Sequence, residues 1–351
     1  MRKLIAITYA AVLALVMATA IGAALPVAYA GDGSLVIGSI RDFPGEVLRY
    51  DATTGDFIDV FVPPFGGGNF GACCPVFGPD ENLYLPSILG HSVLRYNGAT
   101  GEFIDEFVPA GSGGLFIPIV AVFGPDGNLY VGSVGNNSIL RYNGSSGDFI
   151  DAFVPSGSGG LTGDLDPQIF VFGPDGNLYV ASFGTDSVLR YDGSSGAFLG
   201  AFVPSGSGGL DDTVGMDFGP DGNLYVGSQA TDSILRYDGI TGEFIDVFVP
   251  SGDGGLSELV GVLFGPDGNL YVASVGTDSV LRYDGWNGAF LGAFVPSGSG
   301  GLVGPRVFVF KEKITICHRP PGNPNKSNTL SIGHLSGSDH IAHGDSVGAC
   351  Q

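Results

Sequence analysis

Histidine and cysteine, the side chains best suited to binding a transition metal, are concentrated in residues 311–351. This segment holds four of the five histidines and two of the four cysteines of the chain. Thiolate and imidazole groups suit zinc or copper. The segment is therefore one candidate for a metal site, whose candidate ligands are His318, His334, His340, His343, Cys317 and Cys350.

A disulfide between Cys317 and Cys350 is the alternative use of the same segment. A segment of about 40 residues buries little apolar core and usually needs a cross-link. The two cysteines lie near its two ends, and closing such a loop stabilises the fold by about 3–4 kcal/mol. We favour the disulfide, and both interpretations hold together if the metal is bound by histidines alone.

Residues 31–310 are poor in side chains that catalyse reactions. They contain no lysine and a single histidine, His91, although histidine is the usual acid–base group near neutral pH. The adjacent Cys73 and Cys74 form a vicinal disulfide or remain reduced, and we expect a structural role for them. A binding protein is therefore expected more than an enzyme.

The same residues are built from six copies of one unit. The string FGPDGNLYV begins at Phe123, Phe172, Phe218 and Phe264, and a variant, FGPDENLYL, begins at Phe77. An SVLRYDG-like stretch and a GEFIDVFV-like stretch follow in each copy. Such self-similarity at 46–49 residues is typical of one supersecondary unit repeated.

Each unit predicts four β-strands. Short runs rich in Val, Ile, Phe and Tyr alternate with turn residues, and no helical period persists after residue 30. The Pro-Asp-Gly sequence fits a type I turn that closes a hairpin. The fold class is therefore all-β: a six-bladed β-propeller of four-stranded blades over residues 31–310, plus a small C-terminal module over 311–351.

The ring is expected to close by joining the two ends of residues 31–310. The first copy has its second strand at Ser34–Ser39, but its first strand would fall within residues 27–30, which belong to a predicted signal peptide. Arg306–Phe310, 46 residues after the equivalent strand of the sixth copy, can replace it. A closed ring leaves no unpaired edge at the seam.

At this point a family resemblance is clear. The sequence FGPDGNLYVAS followed by SVLRYDG resembles the NHL-type and streptogramin-lyase-like six-bladed propellers, over residues 31–310. The resemblance implies the fold and says little about activity. Streptogramin lyases are metal-dependent and use a histidine, but their catalytic pattern does not match this chain residue by residue. The string TICHRPPGNPNKSNTLSIGHL resembles a short Cys-His-Pro-Pro-Gly-Asn tail of exported microbial proteins.

Residues shared by all copies are interpreted as scaffold. The turn aspartates, such as Asp221 and Asp267, favour turn chemistry, because one carboxylate per turn is too few for calcium. The arginine of each LRY stretch is expected to pair with a nearby aspartate, as in Arg236 and Asp246. Copies four and six have Gly200 and Gly292 in place of that aspartate.

Departures from the repeat are expected to cluster on one face of the ring. The loops before the first strand and after the second strand of each blade emerge there, and copy four carries a three-residue insertion in such a loop. This is the predicted ligand face; ordinary variation of exposed loops is the alternative. The candidate residues are Arg41, Asp42, His91, Asp164, Asp166, Asp211, Asp212, Asp217, Glu258 and Arg306.

Residues 1–30 predict a cleaved export signal. Arg2 and Lys3 precede an apolar run that ends at Ala28-Tyr29-Ala30, a small-x-small cleavage pattern. The expected location is secreted or at the cell surface, an oxidising setting that favours disulfides. An uncleaved membrane anchor is the alternative.

Composition limits the partners. A net charge of −21 argues against binding nucleic acid or an anionic membrane, since both require clustered Lys and Arg. We expect a monomeric, exported protein that binds a protein, glycan or small molecule through one loop face of the ring. The alternative is a metal-dependent lyase or lactonase in the funnel, for which the cofactor would be a divalent metal.

Overall fold

The computed structural model describes residues 33–40, 45–71, 73–162 and 166–311, together with the backbone of strands within 313–318, 328–333 and 346–347. The predicted signal segment lies outside these residues. In the part of the chain that is described, no helix is both long and apolar enough to cross a bilayer.

The repeated units form six four-stranded antiparallel sheets, numbered here as blades one to six in chain order. Blades one to three contain β1 (Ser34–Ser39), β2 (Glu46–Asp51), β3 (Phe57–Val62), β4 (Val76–Phe77), β5 (Leu83–Ser87), β6 (Ser92–Tyr96), β7 (Phe103–Val108), β8 (Pro118–Phe123), β9 (Leu129–Ser133), β10 (Ser138–Tyr142) and β11 (Phe149–Val154). Blades four to six contain β12 (Ile169–Phe172), β13 (Leu178–Ser182), β14 (Ser187–Tyr191), β15 (Phe198–Val203), β16 (Thr213–Phe218), β17 (Leu224–Ser228), β18 (Ser233–Tyr237), β19 (Phe244–Val249), β20 (Leu259–Phe264), β21 (Leu270–Ser274), β22 (Ser279–Tyr283) and β23 (Phe290–Val295).

The predicted closure is confirmed. Strand β24 (Pro305–Lys311) is the innermost strand of blade one and pairs antiparallel with β1, giving the order β24-β1-β2-β3. Leu35 lies opposite Phe310 and Ile37 lies opposite Phe308. The all-β, six-bladed ring closed by a C-terminal strand is therefore the observed fold.

Aromatic residues join neighbouring blades. In blade five, Tyr225 is fully buried and makes edge-on contacts with Phe248 of its own blade and Phe264 of the next, at 4.8 Å each. Its hydroxyl donates to Asp221 at 3.0 Å, and the same carboxylate accepts the side-chain amide of Asn223 at 2.7 Å. The turn aspartate therefore stabilises its own turn and fixes the position of the tyrosine hydroxyl, which agrees with the structural role expected for it.

Short 3-10 turns follow the outer strands. They are Gly66–Gly68, Ser112–Gly114, Ser158–Gly160, Ser207–Gly209, Asp253–Gly255 and Ser299–Gly301, with two more, Val134–Asn136 and Phe183–Thr185, after second strands. Gly208 has a φ of +64°, and a Cβ there would lie 2.1 Å from the ring of Phe244 in the next blade. Glycine is thus required where one blade presses on its neighbour.

The C-terminal residues form a small sheet of their own. It has the order β26-β25-β27, from β25 (Lys313–His318), β26 (Asn328–Gly333) and β27 (Ser346–Val347). β25 pairs antiparallel with β27, with Ile316 opposite Val347.

Candidate binding face and axial cavity

The innermost strands of the blades surround a channel along the ring axis. At the predicted ligand face lies a cavity of about 300 Å³. The lining residues are Ile40, Cys73, Cys74, Ile88, Ile119, Gln168, Ile169, Val214, Gly215, Val260, Arg306 and Val307. A second cavity of about 160 Å³, with an almost wholly aliphatic and aromatic lining, continues along the inner strands.

Arg306 is the charged residue among the described residues that line this mouth. It stands four residues before the Phe of its strand, where blades five and six have Val214 and Val260. Its side chain is half-buried, and within the described ranges it makes no hydrogen bond or ion pair. Among the described lining residues, the mouth is therefore an apolar cavity with one positive charge.

Cys73 and Cys74 lie beside Arg306 as free, buried thiols whose sulfur atoms are 2.7 Å apart in a hydrogen bond. The hydrogen bond from Cys74 lowers the pKa of Cys73, and the charge of Arg306 adds to this effect against the opposing effect of burial. Burial raises the pKa of Cys74 well above its ordinary value.

His91 has a structural partner. Its Nδ1 accepts the backbone N–H of Ile117 in the next blade at 3.1 Å, and its ring lies 4.7 Å from the ring of Phe116. Equivalent residues of other blades do the same with a carboxylate: Asp186 accepts from the amide of Asp212 at 2.8 Å. Aligning the repeats, which places His91 at the aspartate position, would have revealed this role.

Asp166 belongs to the loop insertion of blade four and is buried. Its carboxylate accepts the Ser182 hydroxyl at 2.9 Å and the Phe183 amide at 2.8 Å. In blade three the equivalent donors bond to backbone carbonyls, as when the amide of Val134 bonds to Ile117. The side chain of Asp166 thus replaces backbone acceptors that the insertion displaces.

Three acidic residues meet on the same face away from the axial cavity. Carboxylate oxygens of Asp186, Asp211 and Asp212 all lie within 4.8 Å of one another. Burial, followed by the charges of Asp211 and Asp186, raises the pKa of Asp212. Carboxylates in such a group could hold a divalent cation. The sequence indicated Asp211 and Asp212 as candidate ligand-binding residues. Asp186 comes close to them only because the ring places its blade beside theirs.

Asp217 is not at the mouth. It lies three residues beyond Val214 on β16, about 10 Å along the strand. Its register position, opposite Tyr225, corresponds to that of Val171 and Leu263, which line the inner cavity. Its carboxylate accepts the amides of Phe218 and Phe264 at 2.9 Å each. Burial raises its pKa to about 7 against the effect of these two bonds.

The remaining predicted residues are placed as follows. Glu258 is an exposed loop residue with a φ of +50°, and its carbonyl accepts the amide of Val275 at 3.2 Å. Outside the described residues lie Arg41, Asp42, Asp164, His334, His340, His343 and Cys350. Cys317 and His318 lie in β25, of whose side chains nothing is described, so the disulfide and the metal site of the tail stay predictions.

The structure therefore brings Arg306 together with Gln168 and the cysteine pair, and separates them from His91 and Asp217. The sequence analysis did not identify Ile40, Ile88 and Ile119, which together form an apolar wall of the cavity at the mouth. Their isoleucine type looked like ordinary core, since only ring closure places residues from separate blades around one opening.

Comparison with solved structures agrees with this architecture. A chain from a nidogen–laminin complex matches with a TM-score of 0.58 and 15% identity, covering 79% of this chain and 98% of that one. A protein of unknown function from Bacteroides caccae gives 0.57 and 13%, with coverage of 79% and 98%. This chain is a six-bladed β-propeller.

The streptogramin-lyase-like resemblance is confirmed as a likeness of fold. A catalytically inactive virginiamycin B lyase from Staphylococcus aureus with quinupristin matches with a TM-score of 0.50 and 14% identity, covering 86% of this chain and 92% of that one. At such identities the likeness establishes the propeller alone. No protein-family model matches the chain, and no curated protein sequence matches it.

Proposed function

We propose that this propeller is an exported binding protein whose axial cavity takes a small amphiphilic molecule. The apolar part of the ligand lies against the isoleucines and valines of the mouth, and an anionic group meets Arg306. The observation that carries the proposal is the cavity of about 300 Å³, which has one guanidinium, that of Arg306, among its described lining residues. This volume lies at the lower end of small-molecule sites, which span about 300–1,000 Å³.

The lining of the cavity supports binding over catalysis. Apart from Cys73, Cys74, Gln168 and Arg306, the described residues that line the mouth are aliphatic or glycine. Among the described lining residues there is no histidine, carboxylate or lysine to transfer a proton. A lyase or lactonase would need such a group, or a divalent ion, close to the axis.

Binding is tested by calorimetry with octanoate and 1-octanol, two probes that share a chain and differ in charge. Wild-type protein should bind octanoate more tightly than the alcohol, because only the carboxylate pairs with Arg306. Arg306→Leu should remove this preference at the axial cavity and keep binding of the alcohol there, whereas any binding of octanoate at other arginines should be unchanged. Gln168→Leu, the same change at the equivalent position of blade four, is the control and should keep the preference.

Two results would contradict the proposal. One is equal affinity of the wild type for acid and alcohol, and the other is no saturable binding of either probe. Stoichiometric binding of a divalent ion that is lost in Asp217→Asn would favour the lyase or lactonase alternative.

Export is tested separately. Expression in a secreting bacterial host should release a protein whose N terminus, read by mass spectrometry, is Gly31. Recovery of the intact chain in the membrane fraction would favour an uncleaved anchor.

A further inference from the structure

Four blades carry the same two-pronged ion pair between the third and outermost strands. The Nε of the arginine donates to Oδ1 of the aspartate at 2.9 Å for Arg49–Asp59 and at 3.0 Å for Arg236–Asp246. Arg95–Asp105 and Arg141–Asp151 have the same geometry, at 3.0 and 3.1 Å. In each pair a second bond joins Nη2 to Oδ2. A planar carboxylate in the fork of a guanidinium is among the stronger polar contacts in proteins.

Blades four and six keep the arginine and lack the carboxylate. Arg190 lies opposite Gly200 and Arg282 lies opposite Gly292, in the register that places Arg236 opposite Asp246. The guanidinium stays over the phenylalanine of the outer strand, 5.3 Å from the ring centroid of Phe202 in blade four and 5.1 Å from that of Phe248 in blade five. The cation is therefore held in place where its partner is missing.

The missing carboxylate leaves hydrogen-bonding capacity unused. The Nε of Arg190 is buried and has no hydrogen-bond partner among the described residues, although nearby Tyr179 and Asp175 interact with the Arg190 side chain. Leaving a buried donor without an acceptor is costly. The orphaned atom is the one that donates to the aspartate in the other blades.

Blade six shows the corresponding space. A cavity of about 140 Å³ is bounded by Arg282, Leu291, Gly292, Ala293 and Phe294, with Thr53 and Thr54 of the adjacent blade. The Arg282 side chain is 32% exposed, against 20% for the paired Arg236, and its ion pair is a long one of 3.8 Å to Asp267. A Cβ at Gly200 or Gly292 would meet nothing within 4 Å.

We propose that these two rim sites, Arg190 with Gly200 and Arg282 with Gly292, each bind one carboxylate group that is not part of the ring. The carboxylate takes the place of the missing aspartate and accepts hydrogen bonds from Nε and Nη2. Its source is an acidic side chain of a polypeptide or a free small carboxylic acid. A carboxylate is preferred over a tetrahedral anion, because the other four blades show that this arginine is positioned for a planar, two-oxygen acceptor.

The rim sites are distinct from the proposed ligand site. They lie between the third and outermost strands, β14 with β15 and β22 with β23, whereas the axial cavity lies between the innermost strands. Occupation of one does not require the other, so each proposal can fail by itself.

Nuclear magnetic resonance of the arginine Nε–H groups tests the proposal directly. During titration with sodium acetate at constant ionic strength, the signals of Arg190 and Arg282 should shift saturably. The signals of the four paired arginines should shift no more than they do when sodium chloride is added instead of acetate. Sodium sulfate is the comparison anion, and it should bind at least several-fold more weakly than acetate.

Matched variants define the site. Gly200→Asp and Gly292→Asp should supply the carboxylate from within and abolish the shift at the same blade. Both glycines have a φ of +137°, so the aspartate variants also require the local backbone to adopt the ordinary strand conformation. Asp246→Gly in blade five avoids that requirement and should make Arg236 a third titrating arginine.

The source of the carboxylate follows from two further titrations. A short amidated peptide with a central aspartate that binds at least tenfold more tightly than acetate indicates a polypeptide partner; equal affinity indicates a small acid. Concentration-dependent shifts without any added acid, together with dimers in sedimentation, indicate an acidic group of a second copy. The proposal is overturned if Arg190 and Arg282 respond no more than the paired arginines, if sulfate binds as tightly as acetate, or if Asp246→Gly leaves Arg236 unresponsive.

Discussion

The innermost strands and the outer three strands of each blade follow different rules. In the outer strands, the same residue type recurs from blade to blade. Tyr225 and Tyr271 are an example, because each contacts a phenylalanine on the innermost strand of the next blade. Along the channel wall the type changes, from Val171 to Asp217 to Leu263. Side chains between blades must fit a partner, whereas those on the wall face a cavity. The repeated contacts between blades therefore stabilise the ring. Positions that differ among blades, along the axis and at the rim sites, are the ones that can give the protein a specific function.

Removing the closing strand should have the largest effect, because it breaks the repeated part at the seam. A chain that ends at Gly304 lacks β24, which leaves Leu35 and Ile37 without Phe310 and Phe308 and exposes the edge of β1. We expect loss of cooperative thermal unfolding by circular dichroism, together with aggregation. A chain that ends at Lys313 keeps β24 and is the control; equal stability of the two would contradict closure by this strand.

A substitution between blades should cost more than one at the axis. Tyr225→Ala removes a fully buried ring that contacts two phenylalanines, so the free energy of unfolding should fall by about 3–5 kcal/mol. Val260→Ala at the channel mouth should cost about 1 kcal/mol, since part of its side chain faces a cavity. Urea unfolding measures both, and similar losses would refute the distinction between repeated and axial positions.

Asp217 provides a pH-dependent difference at the axis. Its folded pKa of about 7 lies above the ordinary value of 3.8, so the folded protein binds its proton more tightly than the unfolded chain. Stability from this group is fully present below about pH 4, falls as the pH rises, and levels off above about pH 7. Relative to Asp217→Asn, the wild-type melting temperature should therefore fall across this range. A constant difference between the two proteins from pH 4 to pH 8 would show that the carboxylate does not titrate there.

Loss of one rim ion pair should have the smallest effect. Asp246→Asn weakens the ion pair with Arg236, in which the Asp246 side chain is 44% exposed. Pairs this exposed contribute about 0–1 kcal/mol, so the melting temperature should fall only slightly, and less so at high salt. A loss as large as that of Tyr225→Ala would show that the ion pair, rather than the aromatic contacts, holds the blades together.

Most of the fold could be predicted because it is repeated. The spacing of the FGPDGNLYV strings and the six SVLRYDG-like stretches determined the number of blades, and a strand-like run at Arg306–Phe310 without a following turn marked the seam. The site was less predictable, since His91 and Asp166 look like ligands in the sequence and serve the loops of the ring in the structure.

The sequence by itself determined the four-stranded unit, its sixfold repetition, the turn aspartates and the arginine–aspartate pairs, including the two blades that lack the acid. All of these depend on residues within one blade and so are readable as local patterns. Only the tertiary structure decided that Arg306 would meet Cys73 and Cys74, that Asp186 would join Asp211 and Asp212, and that Asp217 would lie apart from the mouth. These outcomes depend on ring closure, which brings loops that are distant in sequence to one opening. It also separates residues of one strand along the depth of the channel. A local sequence pattern contains no information about these distances between side chains.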